Sequence, residues 1–310
     1  MQTLFFGPQR NSPSWSWVGK DIAQHLTANF HIKFFNHVED IADGSVVFWI
    51  KHPPPESDVQ LLRSKRLRVI YFPVDQYQNE AELAQGQSFI DSCSLLACHT
   101  EGMAELFKGK HIEFVDHYNK YGIDPTLRAP SGRYLWIGGY QYVPYLYSYL
   151  QRAKLPFEID ILTDYRNPAS ILAANQLAHQ LNLDIDLPAT SYFPGLQLIE
   201  WSEDRQRTLL LSCEGAFDYK HVSDFNQRYK PPTKVQKYVA SGIPTAVNHD
   251  SASFKQMQAW GMELCDPTQV DLWRSAGYRA DIKEYSEKLA QRITISAISS
   301  RYIEFAGLLS

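Results

Sequence analysis

Residues 228–248, RYKPPTKVQKYVASGIPTAVN, contain a short helix whose start and end can both be predicted from residue types. Thr233 is a suitable N-cap, because its hydroxyl can accept a hydrogen bond from a free amide of the first turn. Apolar residues recur at i, i+3 and i+4, which gives the helix one face that packs on a sheet. Gly242 suits the position just after a helix, where the backbone is left-handed. The stretch therefore predicts a helix over 233–241 and a strand over 244–247.

Three lysines surround the predicted N-terminus of this helix. Lys230, Lys234 and Lys237 would repel one another unless an anion lies among them. A helix N-terminus also carries a partial positive charge and unpaired amides, which favour a phosphate group. The alternative is a solvated helix face with ordinary surface lysines. The lysines and the helix start together predict a phosphate-binding site.

Outward from this stretch, short apolar runs alternate with helical patterns along the whole chain. Such alternation requires crossover connections and predicts an α/β protein with mainly parallel sheets. Strands are predicted over 3–6, 31–35, 46–50, 68–72, 95–98, 111–115, 134–137, 158–162 and 208–212, besides 244–247. The clearest further helices are predicted over 15–26, 143–153 and 168–181.

The alternation stops once and then restarts, which indicates two domains. Residues 121–133, YGIDPTLRAPSGR, are rich in glycine, proline and charge and are typical of a linker. A length of 310 residues also favours two domains. We predict an N-terminal domain over 1–127 and a C-terminal domain over 128–291.

Composition excludes several classes of protein. A net charge of −4 argues against a general nucleic-acid binder. Four cysteines without a CxxC pair suggest a reducing, cytoplasmic location. Without a signal peptide or a long apolar run, we expect at most peripheral membrane contact.

Asp184 and Asp186 form a DxD pair, but they follow a helix rather than a nucleotide-binding strand, so no metal site is predicted.

The segment KPPTKVQKYVASGIP resembles the donor-binding segment of retaining glycosyltransferases with the GT-B fold, a group that includes many polysaccharide and lipopolysaccharide enzymes. Seven residues match the pattern KPxNKxxEYxAxGxP of that family, namely Lys230, Pro231, Lys234, Tyr238, Ala240, Gly242 and Pro244. The resemblance implies two Rossmann-like domains facing a cleft. The C-terminal domain would bind a nucleotide sugar, the N-terminal domain the acceptor, and the C-terminal helix, within 292–310, would cross back to brace the first domain.

One departure from the family pattern concerns the donor site. The family usually has a glutamate that contacts the ribose where this chain has Lys237, and Tyr229 stands near the position of the second acidic residue. An ammonium group cannot accept a hydrogen bond from ribose hydroxyls, although it can bind a phosphate or carboxylate. This departure keeps open a catalytically inactive binding or scaffold protein with the same fold.

Further donor contacts are predicted where the strand over 134–137 ends. Gly138 and Gly139 form a tight turn there, in the place where the resemblance puts the diphosphate. Tyr140 lies in the same turn and is the aromatic candidate of that region. The alternative is an ordinary turn after a strand.

Candidate acceptor and catalytic residues follow the strands of the first domain. Ligands of open α/β sheets bind outside the carboxyl ends of the strands. Gly7, Trp15, Trp17 and His52 are therefore candidate acceptor contacts, although each tryptophan could equally pack in the core. Asp75 is the first candidate and His117 the second to accept a proton from an acceptor hydroxyl, with structural roles as the alternative.

These observations predict a hexosyltransferase-type glycosyltransferase that moves a sugar from a nucleotide-diphosphate donor to an acceptor hydroxyl. The acceptor would be a carbohydrate, a lipid-linked molecule or a protein, in a pathway such as polysaccharide biosynthesis. Neither a metal nor a cofactor is expected, because helix amides and lysines would offset the charge of the leaving diphosphate. An unrelated Rossmann-type enzyme such as an epimerase is less favoured, since no GxGxxG follows the first strand.

Overall fold

The computed structural model describes residues 2–188 and 194–309. Within these ranges the strands are β1 (Thr3–Gly7), β2 (His31–Phe34), β3 (Val46–Ile50), β4 (Arg68–Phe72), β5 (Leu95–Cys98), β6 (Ile112–Phe114), β7 (Tyr134–Ile137), β8 (Ile159–Thr163), β9 (Leu196–Glu200), β10 (Gly215–Asp218) and β11 (Thr245–Val247). The α-helices are α1 (Asp21–Leu26), α2 (Glu56–Ser64), α3 (Glu80–Gln85), α4 (Gln87–Ser92), α5 (Glu101–Ala104), α6 (Val143–Ala153), α7 (Pro168–Gln180), α8 (Glu203–Ser212), α9 (Phe225–Tyr229), α10 (Thr233–Ala240), α11 (Ala252–Ala259), α12 (Val270–Arg274), α13 (Ala276–Arg292) and α14 (Ile295–Leu308).

Contacts divide the chain into two compact units. The first unit contains the described residues of 1–120, 222–231 and 291–310, and the second contains those of 121–221 and 232–290. The division thus falls between 120 and 121, whereas the sequence suggested a boundary between 127 and 128. The return of residues 222–231 to the first unit was not predicted.

The first unit is built on a fully parallel six-stranded sheet. Its strand order is β2-β1-β3-β4-β5-β6. The central strands are buried on both faces, as in β3, where all five residues are buried. Sheets covered on both faces need continuous apolar strands, and that is why runs such as VVFWI predicted these strands well.

The C-terminal helix α14 completes one face of this sheet. Ile298, Tyr302 and Phe305 join the same apolar cluster as β1, β3 and β4. The Tyr302 ring stacks on Phe72 with centroids 4.7 Å apart, and its hydroxyl donates to the carbonyl of Val18 at 2.8 Å. The prediction that the C-terminal helix packs on the first domain is confirmed.

The second unit has a parallel five-stranded sheet in the order β11-β10-β7-β8-β9. The predicted strand over 208–212 is wrong, because these residues form the last turns of α8. Ser202 caps that helix by accepting from the amide of Arg205, and Leu210 is its fully buried contact with the core. A short apolar run does not distinguish a buried helix face from a strand, and so the true strands β9 and β10 were missed.

Within residues 2–188 and 194–309, no helix combines the length and the apolar character that a membrane span requires.

Candidate functional site

The second unit has a topological switch point between β7 and β10. β7 and β10 are neighbours in the sheet. The connection that leaves β7 runs to β8 on one side, whereas the connection that leaves β10 runs to β11 on the other side. Open parallel sheets bind ligands in the crevice that such a divergence creates. The turn after β7 and the loop after β10 border this crevice.

Gly138 and Gly139 form the turn after β7, but only Gly138 has no room for a side chain. A Cβ atom on Gly138 would lie 1.9 Å from the ring of Trp136, whereas one on Gly139 would have no neighbour closer than 3.4 Å. Trp136 is itself buried. The first glycine of the pair therefore fixes the backbone tightly against an aromatic ring at the edge of the crevice.

The Tyr140 ring packs in the core. It is fully buried, and the Tyr140 amide donates to Asp164 Oδ1 at 2.8 Å. Tyr140 lies at the junction between β7 and α6, and its role as a donor contact stays a prediction. Two other aromatic pairs join α6 to the loop after β10, since Tyr145 stacks on His221 and Tyr149 on Tyr219, each with centroids 4.1 Å apart.

The predicted phosphate-binding helix is present as α10, with one correction at its start. Thr233 is the first helical residue, and the N-cap position belongs to Pro232, which has no hydroxyl. The N-cap prediction was therefore one residue late. At the other end Gly242 has a φ of +64°, so the left-handed backbone predicted for it is confirmed.

The three lysines of the predicted site have different surroundings. The Lys234 ammonium lies over the Trp136 ring, 5.5 Å from its centroid. Lys237 is buried against Tyr121, with its ammonium 5.0 Å from that ring. Lys230 belongs to the first unit and pairs with Asp75 there, with Nζ and Oδ2 3.4 Å apart. Lys230 thus belongs to a different unit from Lys234 and Lys237, which lie on α10, and the grouping of the three lysines around a phosphate stays a prediction.

Burial has a strong effect on the charge of Lys237. Removal of its ammonium from water lowers the pKa of Lys237 from its ordinary value of 10.5 to about 7. The side chain therefore titrates near neutral pH. A bound phosphate would favour its charged form.

A polar cluster at the ends of β10 and β11 was missed in the sequence. Lys220 Nζ pairs with Asp218 Oδ1 at 3.0 Å, and both side chains are buried. The Asn248 side chain accepts from the Lys220 amide and donates to its carbonyl, each at 2.9 Å. The order Asp-x-Lys directly after a strand was the available signal, but β10 itself had not been identified.

Asp75, the first candidate base, lies in an ion-pair network of the first unit. Its Oδ1 contacts Lys51 Nζ at 2.7 Å and its Oδ2 contacts Lys230 Nζ at 3.4 Å. Burial alone would raise the pKa of Asp75, but the charges of Lys230 and Lys51 outweigh it and hold the pKa well below the ordinary range. A carboxylate with so low a pKa is a weak base, so the network favours a positioning role.

We expect Asp75→Asn to destabilise the protein by about 2 kcal/mol at pH 7, because two lysines then lose their shared carboxylate. Because the pKa of Asp75 is lower in the folded than in the unfolded protein, its ionised carboxylate stabilises the fold at any pH above the unfolded-state pKa of Asp. This stabilisation is lost as the pH falls below that value. The difference from wild type should therefore be constant above pH 5 and shrink below pH 4 in denaturant titrations. Asp43→Asn, an exposed control in the same unit, should change little; equal effects of the two changes would contradict the network.

Strained backbone surrounds Asp75. Lys51, His52 and Val74, at the ends of β3 and β4, have φ values of 54°, 38° and 56°. The Gln76 side chain accepts from the His52 amide at 3.0 Å, and Asn226 donates to the Asp75 carbonyl at 2.9 Å. Non-glycine residues in the left-handed region cost of order 1–3 kcal/mol each and cluster at functional sites. This strain marks the ends of β3 and β4 as a candidate functional edge.

His117, the second candidate base, belongs to a buried histidine pair. Its ring stacks on His99 with centroids 4.0 Å apart. His99 Nδ1 lies 2.8 Å from the Val115 carbonyl, and burial lowers the pKa of His99. Both rings are buried at the ends of β5 and β6, so His117 is a packed side chain.

The remaining candidates are mainly packing residues. A Cβ on Gly7 would lie 2.5 Å from the Phe35 carbonyl oxygen, so glycine is required there by packing. Trp15 belongs to the core of the first unit, and Trp17 is half-buried against it. Tyr229 is half-buried in α9 of the first unit, edge-on to Phe225. In the described ranges, no group of three His, Cys, Asp or Glu side chains is placed to hold a metal ion.

Neither a protein-family profile nor a curated protein matches the chain. Solved structures do. AviGT4, a glycosyltransferase involved in avilamycin A biosynthesis, aligns at 12% identity and a TM-score of 0.57 over 99% of this chain and 97% of that one. A mutant of S. aureus TarM in complex with fondaparinux, α-GlcNAc-glycerol and UDP aligns at 9% identity and a TM-score of 0.56, over 92% of this chain and 58% of that one. A UDP-forming α,α-trehalose-phosphate synthase from Burkholderia vietnamiensis aligns at 11% identity and a TM-score of 0.52, over 93% of this chain and 78% of that one.

These likenesses establish the fold class. At such identities the shared feature is the architecture, with two Rossmann-like units that each carry a parallel sheet. The chain has the α/β GT-B fold that the segment 230–244 suggested.

Proposed function

We propose that the protein is a glycosyltransferase that binds a nucleotide-diphosphate sugar in its second unit. The observation that carries this proposal is the crevice at the β7/β10 switch point. Gly138 brings bare backbone to its edge, and Lys234 is held over Trp136, which packs against that same glycine. Cations and close backbone approach are the features that a diphosphate needs.

The proposed reaction is a substitution at the anomeric carbon of the donor sugar. The acceptor hydroxyl oxygen forms a bond to that carbon, and the bond from the carbon to the diphosphate oxygen breaks with its electron pair left on that oxygen. The hydroxyl proton passes to the departing diphosphate. Lys234 and the amides at the start of α10 would offset the charge on the departing diphosphate without a metal. Retention of anomeric configuration, a cytoplasmic location and a role in polysaccharide biosynthesis belong to the same proposal.

A second candidate is a nucleotide-sugar-binding protein without transfer activity. It is favoured by Lys237, which is buried at the position of the family glutamate. The network around Asp75 also favours it, because it leaves that carboxylate a weak base. The acceptor, whether a carbohydrate, a lipid-linked molecule or a protein, would then be replaced by a regulatory partner.

A panel of nucleotide sugars separates these functions. Because two of the structural relatives are described with UDP, UDP-sugars are the first donors to test, followed by GDP- and dTDP-sugars. Release of the nucleoside diphosphate above the rate in buffer would support transfer chemistry. Calorimetric binding without release would support the second candidate, and neither binding nor release would refute both.

A further inference from the structure

A polar cavity of about 480 Å³ lies beside the loop after β1 in the first unit. Its size is within the range of small-molecule sites. The lining includes Arg10, Asn11, Ser12, Ser16, Lys20 and Asn36. Part of it is thus the loop after β1 that the sequence predicted as an acceptor region, and Trp15 of that loop also contributes to the lining.

The charge of this cavity has one sign. Arg10 and Lys20 form no ion pair with any carboxylate in the part of the chain that the structure describes, and no acidic side chain lines the cavity. Asp21, the neighbour of Lys20, is already bound by Lys120, whose Nζ lies 2.6 Å from Asp21 Oδ2, and by the Tyr118 hydroxyl. Two cations therefore face the cavity without local compensation.

Hydrogen bonds hold the wall of the cavity in place. The Gln9 amide donates to Asn36 Oδ1 at 3.1 Å, which ties the loop to the end of β2. Lys120 Nζ donates to Ser16 Oγ at 2.8 Å, and the Trp15 amide donates to Ser12 Oγ at 3.3 Å. Hydroxyl and amide groups are thus presented in fixed positions beside the two cations, an arrangement that suits a hydroxyl-rich anion.

The positive field extends to His52, the other predicted acceptor residue. Burial lowers the pKa of His52 first, and the charges of Lys51 and Arg10 lower it further, while Asp75 opposes them. Arg10 therefore lies near enough to His52 to act on it electrostatically.

We propose that this cavity binds an anionic sugar, and that the acceptor accordingly carries a phosphate or carboxylate group. Arg10 and Lys20 bind the anionic group, and Asn11, Asn36 and the two serines bind sugar hydroxyls. The assignment of this ligand as the acceptor rests on the proposed glycosyltransferase function, whereas the binding of the anion does not.

Calorimetry with a matched set of ligands tests the proposal. We expect galactose 6-phosphate or galacturonate to bind at least about 10-fold more tightly than galactose, since only the anions engage both cations. Arg10→Gln with Lys20→Gln should weaken binding of the anionic sugars by about 10-fold or more and leave UDP binding unchanged. Lys108→Gln, an exposed control in the same unit, should change neither affinity.

The two anionic ligands distinguish a phosphate from a carboxylate source, and tighter binding of either supports the proposal. NMR titration of His52 gives a second readout, because Arg10→Gln and a bound anion should each raise its pKa. Equal binding of galactose and the anionic sugars, or unchanged binding in the double variant, would overturn the proposal. A wild-type protein that binds the anions but no nucleotide would instead refute the proposed function.

Discussion

Replacement of Gly138 by alanine is expected to destabilise the protein by about 3 kcal/mol and to abolish nucleotide binding. The added Cβ would lie 1.9, 2.4 and 2.5 Å from three atoms of the Trp136 ring. That ring is buried and cannot turn into solvent, so either the ring or the turn must move. Both border the proposed diphosphate site, and chemical denaturation with calorimetry of UDP binding measures both effects.

Gly139→Ala is the matched control for this prediction. Gly139 has φ −69° and ψ 142°, which alanine adopts without strain, and its Cβ would have only ordinary contacts. We expect a change within about 0.5 kcal/mol and retained binding. Trp136→Phe removes the ring atoms nearest Gly138, so the cost of Gly138→Ala should shrink in that background. Similar effects of the two glycine changes would show that the close contact does not exist.

Lys237→Met is expected to stabilise the protein on the order of 4 kcal/mol at pH 6. The pKa of Lys237 is about 7 in the fold and near 10.5 in the unfolded chain, so unfolding takes up a proton between these values. The free-energy cost of burying Lys237 is at its full value below pH 7 and declines by about 1.4 kcal/mol per pH unit above it. Urea titrations at pH 6 and pH 9 should therefore show a larger gain at the lower pH.

The exposed Lys283 provides the control, because Lys283→Met should leave stability unchanged at both pH values. A gain for Lys237→Met that is independent of pH would mean that the buried ammonium is not the source of the penalty. Buried ionisable groups are often retained for function. We therefore expect the stabilised variant to bind UDP more weakly than wild type, which is a stability cost accepted for a ligand contact.

The sequence predicted the strands that are continuous apolar runs. β3, β4, β5 and β7 have the bounds that the sequence indicated, because central parallel strands are buried on both faces. β9 is only partly buried and β10 has four residues that end in a buried aspartate, so neither forms such a run. The omission of β9 and β10 has the same cause as the assignment of the end of α8 as a strand. Both follow from the use of apolar runs as the signal for strands.

The candidate site was predictable where the signal is local. The left-handed glycine after α10 and the glycine pair after β7 are features of adjacent residues. The pairing of Lys230 with Asp75 could not be predicted in this way, because it depends on the return of residues 222–231 to the first unit. Burial likewise decides the state of Lys237 and the packing of Tyr140, and burial depends on distant segments.

Calorimetric titration of UDP into wild type and the Lys234→Glu variant tests the central claim most directly. If phosphoryl oxygens are bound beside Trp136 at the start of α10, reversal of the charge at residue 234 should weaken the affinity at least about 100-fold. Lys255→Glu makes the same charge change at an exposed position of α11 and should have little effect. Equal affinities of wild type and Lys234→Glu would place the nucleotide elsewhere and contradict the account.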